Sequence, residues 1–489
     1  MKRRAKIVAT LGPKSNQTAV LRRLLKVGVD VCRLNLSHGD HDWHRDAIRK
    51  VRKLAGEQNR QTAVLIDLMG PRYRLGTLEP RRLRKGETVT LGDKRERVDL
   101  PVKKAILTQL HPRDRVLLDN GLVELRVVRR RGGRVTAKVV SGGPVASHKG
   151  INLPDSALPF TISRKDHADI ELAVAESADY IAASYVGQAR DIHSLRRAVR
   201  KAGAEIPIVA KLERGQAIEH VDEIVVAADA VMVARGDLGV EVPLHRVPVL
   251  QKLIIDSGRR HGKPVIVATQ MLESMMERPR PTRAESSDVA NAVFDGADAL
   301  MLSGETAAGD YPVEAVRTMA RIVEEAESYA RQRPHQDTTL ATLAQSDLPH
   351  RIGFRDGPAS TPETKGHEIA DVVAASAVFA ARNMPVRQIV AFSQGGFTAR
   401  LIARYRPGAP IAVLTTAPAV ARRMQLVWGV RPLVLADDVR THEDVVHLID
   451  RELLSARLAR VGDAILILMG HPIAERPLTN LMRIHRVRK

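Results

Sequence analysis

The chain has 489 residues, 44% hydrophobic and 27% charged, which at roughly 150 residues per domain gives about three domains with sizeable cores and excludes a peptide or a disordered adaptor. No apolar run reaches the roughly 18 residues of a spanning helix, so no bilayer crossing is expected. Lys plus Arg number 77 against 56 for Asp plus Glu, a net charge of +21 that should draw anions, but with 3% aromatic residues the chain lacks the stacking platforms of a dedicated nucleic-acid binder.

The N-terminus, Met1-Lys2-Arg3-Arg4-Ala5-Lys6, is basic, yet the apolar stretch behind it stops at Gly12-Pro13, too short for a secretory segment. A cytoplasmic location is expected. Cys32 is the only cysteine, so no intrachain disulfide can form, and it is read as a buried strand residue. Short β-rich apolar runs recur at 6–10, 29–36, 62–67, 179–185, 206–211, 230–234, 264–269 and 299–302, and a helix-compatible stretch follows each directly except the third. Eight strands alternating with helices predict an α/β chain built on a (β/α)8 barrel. Gly28, Gly203, Gly262 and Gly296 punctuate helix ends, and Thr282 with Glu285 forms a capping box that opens another helix.

Between the third and fourth runs, about 110 residues change texture, with runs at 87–91, 115–118, 122–128 and 135–140 between glycine-rich turns. They predict a small β domain inserted in the barrel. Basic runs there, Arg81-Arg82-Leu83-Arg84-Lys85 and Arg129-Arg130-Arg131, are read as hairpin ends. A polar stretch from about 333 to 365 precedes renewed strand–helix alternation, with strands expected at 388–392, 410–415, 432–436 and 463–469. The expected division is a discontinuous barrel over 1–74 and 158–335, the insert over 75–157, and a C-terminal α/β domain over 336–489.

Barrel enzymes build their sites at the C-terminal ends of the strands. Residues two apart share a strand face, and four ends carry polar sets: Arg33, Asn35 and Ser37; Lys211 and Glu213; Arg235 and Asp237; Ser303 and Glu305. Asp67 and Thr269 add single polar positions. Glu213 and Asp237 offer two hard oxygen ligands, suited to Mg²⁺ or Mn²⁺ completed by substrate and water. Lys211 and Arg33 set cations beside that ion, so the pocket suits a small, highly anionic substrate such as a phosphorylated carboxylic acid, and phosphoryl transfer fits best. Neither G-x-x-x-x-G-K-[ST] nor G-x-G-x-x-G occurs, which excludes P-loop and dinucleotide-binding chemistry. His38, His41 and His44 stand at helical spacing, but nothing completes a metal site around them. Two other readings of these residues stand beside phosphoryl transfer: a metal-dependent aldolase or lyase acting on pyruvate or oxaloacetate, and a non-enzymatic anion or RNA binder.

These residues lie in motifs that resemble the pyruvate kinase family. The likeness runs through Lys6-Ile7-Val8-Ala9-Thr10-Leu11-Gly12-Pro13, Arg33-Leu34-Asn35-Leu36-Ser37-His38-Gly39, Lys149-Gly150-Ile151-Asn152-Leu153-Pro154, Met232-Val233-Ala234-Arg235-Gly236-Asp237-Leu238-Gly239, Ala268-Thr269-Gln270-Met271-Leu272-Glu273 and Leu302-Ser303-Gly304-Glu305-Thr306. It implies transfer of the phosphoryl group of phosphoenolpyruvate to ADP, giving pyruvate and ATP. It implies metal ligation by Glu213 and Asp237, catalysis by Lys211, enolate protonation near Thr269, and a carboxylate seat around Arg235, Gly236 and Asp237. By the same resemblance Arg33 and Arg74 contact phosphate, His38 lies near the nucleotide, Ser303 and Glu305 face substrate, the insert is a small β-barrel lid, and the assembly is a homotetramer.

The chain departs from the family at several points. Potassium-dependent members read Asp-Thr-Lys-Gly-Pro-Glu after the third strand, whereas this chain reads Asp67-Leu68-Met69-Gly70-Pro71-Arg72. Asn35, Ser37 and Asp67 keep three monovalent-ion ligands, but Leu68 offers no side-chain oxygen and Arg72 brings its own cation, so activity without K⁺ is expected. Gln188 stands where the family usually has a lysine, and the lid segment 154–159 is shortened. The loop Ser393-Gln394-Gly395-Gly396-Phe397-Thr398 resembles an effector loop before a helix N-terminus, which implies a sugar phosphate or nucleotide effector.

Overall fold

A computed structural model describes residues 3–71, 73–93, 98–156, 159–332, 367–435, 442–472 and 478–489. Eight parallel strands close into a barrel: Lys6–Thr10, Val31–Asn35, Ala63–Asp67, Tyr180–Ala183, Ile208–Leu212, Ala230–Ala234, Val265–Ala268 and Ala299–Leu302. The first strand pairs with the eighth, Ile7 opposite Leu300. Period-two alternation sorts the side chains. Val8, Val31, Leu65, Val209, Met232 and Ile266 fill the barrel interior, while Ile7, Cys32, Val64, Ile208 and Val265 pack outward against the helices. Cys32 is fully buried as expected, and burial pushes its thiol up to about 12.

Local signals set the helix ends. The helix Thr18–Val27 stops at Gly28, whose φ of 116° lets its N–H reach back to Leu24 and Leu25 carbonyls, and Gly296 ends Arg283–Asp295 the same way. At the start of that helix Thr282 accepts from Glu285 N–H and Glu285 accepts from Thr282 N–H, the capping box anticipated from sequence.

The insert contains a seven-stranded sheet and a two-stranded ladder sharing one core. Its first strand, Tyr73–Arg74, pairs with Gly150–Asn152, so the sheet begins two residues before the expected boundary at 75. Arg81–Leu83 is a strand paired with Gly143–Val145 rather than a hairpin end. Arg129-Arg130-Arg131 does end a hairpin, Arg131 facing Arg134. The C-terminal domain is a five-stranded sheet in the order Val430–Val434, Ile411–Thr415, Gln388–Phe392, Ala464–Met469, Leu481–Arg486. The last strand runs antiparallel and was not anticipated, because Arg483, His485 and Arg486 break its apolar pattern.

This domain closes the barrel floor. Leu426 joins the interior cluster, and Lys6 Nζ, fully buried at the start of the first strand, donates to the Val430 carbonyl at 2.7 Å. The opposite end, where the strands finish, is left for chemistry. Among the described residues no helix is long and apolar enough to cross a membrane.

Candidate active site

The alternation that buries Val209 in the barrel points Lys211, two residues on, along the same inner face, with Glu213 beyond it at the mouth. Lys211 Nζ donates to Ser184 Oγ at 2.9 Å and stands 3.2 Å from Glu213 Oε2 and 3.4 Å from Asp67 Oδ1. Across the ring, Arg33 donates through Nε to Asp67 Oδ2 at 2.7 Å and through Nη1 to Thr10 Oγ1 at 2.9 Å. Burial alone would raise the Asp67 pKa, but the Lys211 ammonium and the Arg33 guanidinium prevail and hold it below the ordinary carboxylate range. Burial likewise opposes the charge on Lys211, and Asp67 with Glu213 outweighs it, so the amine stays protonated with a raised pKa.

Glu213 is the contrasting group. Burial pushes its pKa up to about 7, Lys211 opposes, and the like charges of Asp237 and Asp67 add to the rise. Its Oε1 accepts the Tyr185 N–H at 2.6 Å. Its Oε2 is buried without a hydrogen-bond donor, the Lys211 ammonium being at ion-pair distance but misaligned. Asp237 lies in the first turn of the short helix Arg235–Glu241. A buried carboxylate with an unused lone pair, beside a second carboxylate, fits a hard divalent cation. No group of three or more His, Cys, Asp or Glu placed to hold a metal occurs among the described residues. His41 instead bonds Asp169 at 2.7 Å, and His44 Nε2 donates to the His38 carbonyl at 2.8 Å.

Thr269 and Gln270, just past the seventh strand, have φ of 69° and 53°, a left-handed backbone unusual for such residues. Arg235 holds it, donating to the Thr269 carbonyl at 2.8 Å and the Gln270 carbonyl at 3.3 Å while pairing with Asp288 at 2.7 Å. Thr269 Oγ1 in turn accepts the Gly236 N–H at 2.7 Å. A Cβ on Gly236 would stand 3.3 Å from that oxygen, so glycine permits the close approach. Glu305 is turned inward: its oxygens accept the Leu272 and Ser303 N–H groups at 3.1 and 2.7 Å, and it braces two loops. The Ser303 hydroxyl is buried and has no partner.

The remaining candidates are more dispersed. Asn35 Oδ1 accepts the Ser37 N–H, Leu68 is buried in the outer core, and Arg72 lies outside the described residues. His38 is exposed. Arg74 is exposed on the insert's sheet, bonding the His148 carbonyl. Gln188 precedes the helix Ala189–Lys201. Gly396, with φ 73°, precedes the helix Phe397–Arg404, Gln394 accepts from Thr416, and Thr398 bonds Thr479. Sequence reasoning passed over Ser184, which hydrogen-bonds both Lys211 and the Leu68 carbonyl. The period-two rule that selected Lys211 also selects Ser184, two residues past the inward Ala182.

The family model described as "Pyruvate kinase, barrel domain" matches residues 2–316, and "Pyruvate kinase, alpha/beta domain" matches 371–485. The chain belongs to the pyruvate kinase family. Pyruvate kinases of Agrobacterium vitis and Mycobacterium tuberculosis are 40% and 39% identical to it, covering 99% and 100% of this chain and 96% and 99% of their own lengths. A crystal structure of a pyruvate kinase from Cryptosporidium parvum superposes with a TM-score of 0.87 at 31% identity, covering 100% of this chain and 97% of that one. The activity is phosphoryl transfer from phosphoenolpyruvate to ADP, giving pyruvate and ATP, and the family implies a divalent metal. The aldolase and RNA-binding readings find no support in these likenesses.

Proposed function

We propose that the cluster of Lys211, Glu213, Asp237, Arg33 and Thr269 carries this transfer, with Mg²⁺ or Mn²⁺ held by Glu213 and Asp237. When bound, the ion acts as a Lewis acid toward the carboxylate and enolate oxygens of the substrate. Lys211, held by Ser184 and Asp67, directs its ammonium at the phosphoryl group in transit and neutralises its charge. Arg33, anchored on Asp67 and Thr10, adds a second fixed positive charge, and Arg74, approaching with the inserted lid, is assigned to phosphate. The turn at Arg235, Gly236 and Asp237 seats the substrate carboxylate through its N–H groups, Thr269 surrendering its hold on Gly236 as it does so. Thr269 and the Ser303 hydroxyl then order the water that protonates the enolate. Closure of the insert over the mouth excludes bulk water.

The observation that carries this reading is the 3.2 Å separation of Lys211 Nζ from Glu213 Oε2, an oxygen with no hydrogen-bond donor. A coupled assay of ATP formation tests it. Lys211→Met should cut turnover by roughly 10²–10³-fold while fold and Mn²⁺ binding persist; retention of more than a few per cent of kcat overturns the assignment.

K⁺-independence belongs to the same proposal, since Asp67 is already occupied by Arg33 and Lys211, Leu68 offers no oxygen, and Arg72 brings a cation. The resemblance of the chain's motifs to the family further implies a cytoplasmic homotetramer with an anionic effector, a sugar phosphate or nucleotide, at Ser393-Gln394-Gly395-Gly396-Phe397-Thr398. Light scattering with and without a hexose bisphosphate tests the last two points.

A further inference from the structure

The inserted domain returns to the barrel through the strand Gly150–Asn152 and the segment behind it, and this return is bonded to the neighbours of both carboxylates assigned to the metal. Asn152 Nδ2 donates to Glu241 Oε1 at 2.9 Å. Glu241 is the last residue of the short helix Arg235–Glu241, and Asp237 stands in its first turn, four residues earlier, so the two carboxylates share one helix face. Further along the return, the Ser156 carbonyl accepts from Arg214 Nη2 at 3.3 Å, and Arg214 directly follows Glu213. A second part of the insert lies against the same helix, since a Cβ added to Gly121 would stand 3.7 Å from Val240 Cγ1.

Stability alone does not account for an acid at position 241. Glu241 is 7% exposed, and among the described residues it has no cation at ion-pair distance and a single hydrogen-bond donor, Asn152. A buried carboxylate without a paired charge costs free energy, and the C-terminal end of a helix is the unfavourable end for an anion. Burial raises its pKa, and Asn152, Arg214 and Arg115 oppose that rise without cancelling it. What the side chain does supply is a tie between domains. At its first turn the helix is fixed to the barrel, Gly236 N–H on Thr269 Oγ1 at 2.7 Å and Arg235 on Asp288 at 2.7 Å. At its last residue it is fixed to the insert.

We infer that Asn152 and Glu241 are positioning residues that hold the helix Arg235–Glu241 to the root of the insert, so that the placing of Gly236 and Asp237 depends on where the insert stands. The inference rests on the assignment of Glu213 and Asp237 to the metal. With one end of the helix fixed on the barrel and the other on the insert, a shift of the insert tilts the helix and moves Asp237 relative to Glu213. Arg214 passes the same shift to Glu213 along the chain.

Mn²⁺ titration of the full chain without substrate, followed by electron paramagnetic resonance, tests this apart from turnover. Asn152→Ala should weaken Mn²⁺ binding by roughly tenfold or more and lower kcat by roughly 10–100-fold, with the KM for ADP changed by less than about twofold. Glu241→Ala removes the other half of the bond without touching the insert and should do the same. Its melting temperature should stay within about 5 °C of the natural protein's, because the buried charge does not stabilise the helix, so this variant reads the inference even if Asn152→Ala unfolds. The double variant should be no worse than the worse single one, as for residues that act through each other. Glu241→Gln, whose amide oxygen still accepts from Asn152, should recover most of the loss. Mn²⁺ affinity within about twofold of the natural protein's in folded Asn152→Ala or Glu241→Ala, or losses that add in the double variant, overturns the inference. Undiminished Mn²⁺ affinity in Asp237→Asn overturns instead the metal assignment beneath it.

Discussion

Arg33 grips Asp67 from the neighbouring strand, Nε and Nη2 each 2.7 Å from Oδ2, with the two side chains only 10% and 1% exposed. The other carboxylate oxygen faces Lys211 at 3.4 Å. One acid thus pairs with two cations at the barrel mouth, beside the contacts of Arg33 to Thr10 and of Lys211 to Ser184 and Glu213.

Neutralising that acid should be costly. Asp67→Asn leaves Arg33 and Lys211 buried with their charge only partly answered, and loss of one partner of a buried pair costs about 3–5 kcal/mol. Urea denaturation should show a loss of that order together with a fall in kcat, as Lys211 loses a brace. A loss below about 1 kcal/mol would mean that Arg33 finds its counter-charge elsewhere.

Turnover in KCl should match that in an equal concentration of tetramethylammonium chloride within about twofold, because Arg33 fixes a positive charge beside Asp67 and the sequence adds a second cation at Arg72. Arg72→Glu should then create a need for K⁺. Strong KCl stimulation of the unaltered enzyme would refute the idea.

The fork of Arg235 serves the Thr269 and Gln270 carbonyls and Asp288 together, a geometry that lysine cannot copy. Arg235→Lys is therefore expected to lower kcat by roughly 10–100-fold through misplacement of Thr269, with little change in the KM for ADP. Unchanged kcat would leave the left-handed turn at Thr269 without this support.

Lys6 gives the pH prediction. Burial lowers its pKa to about 8 from 10.5, so between those values the unfolded chain binds the proton and the folded one releases it. Stability therefore rises with pH across that window, and below it the buried charge is a cost to folding. Compared with Lys6→Met, the natural protein should gain about 3 kcal/mol between pH 8 and 10.5. Urea titrations of both proteins over that range check it; a flat difference would show that Lys6 keeps its ordinary pKa.

Much of this molecule is written in local pattern. The runs at 6–10, 230–234 and 299–302 are strands to the residue, and the glycines expected to end helices, Gly28, Gly203, Gly262 and Gly296, all have positive φ. Lys211 and Glu213 were legible as one face of one strand. Less local features escaped. Leu481–Arg486 becomes a strand because Ala464–Met469 offers it a free edge, and Arg81–Leu83 because Gly143–Val145 lies alongside. Glu305 is legible as a polar residue at a strand end, but that its oxygens accept the Leu272 and Ser303 N–H groups and brace two loops is visible only in the fold.

The sequence by itself determined the barrel strands, the helix ends and the polar residues that close each barrel strand, since period-two alternation, capping residues and turn glycines act within a few positions of one another. Only the tertiary structure decided that Arg33 meets Asp67, 34 residues away, and that Lys6 meets Val430, 424 residues away. Those outcomes depend on how the cylinder closes and what docks beneath it. Burial and charge balance are properties of distant surfaces brought together, and no local propensity encodes them.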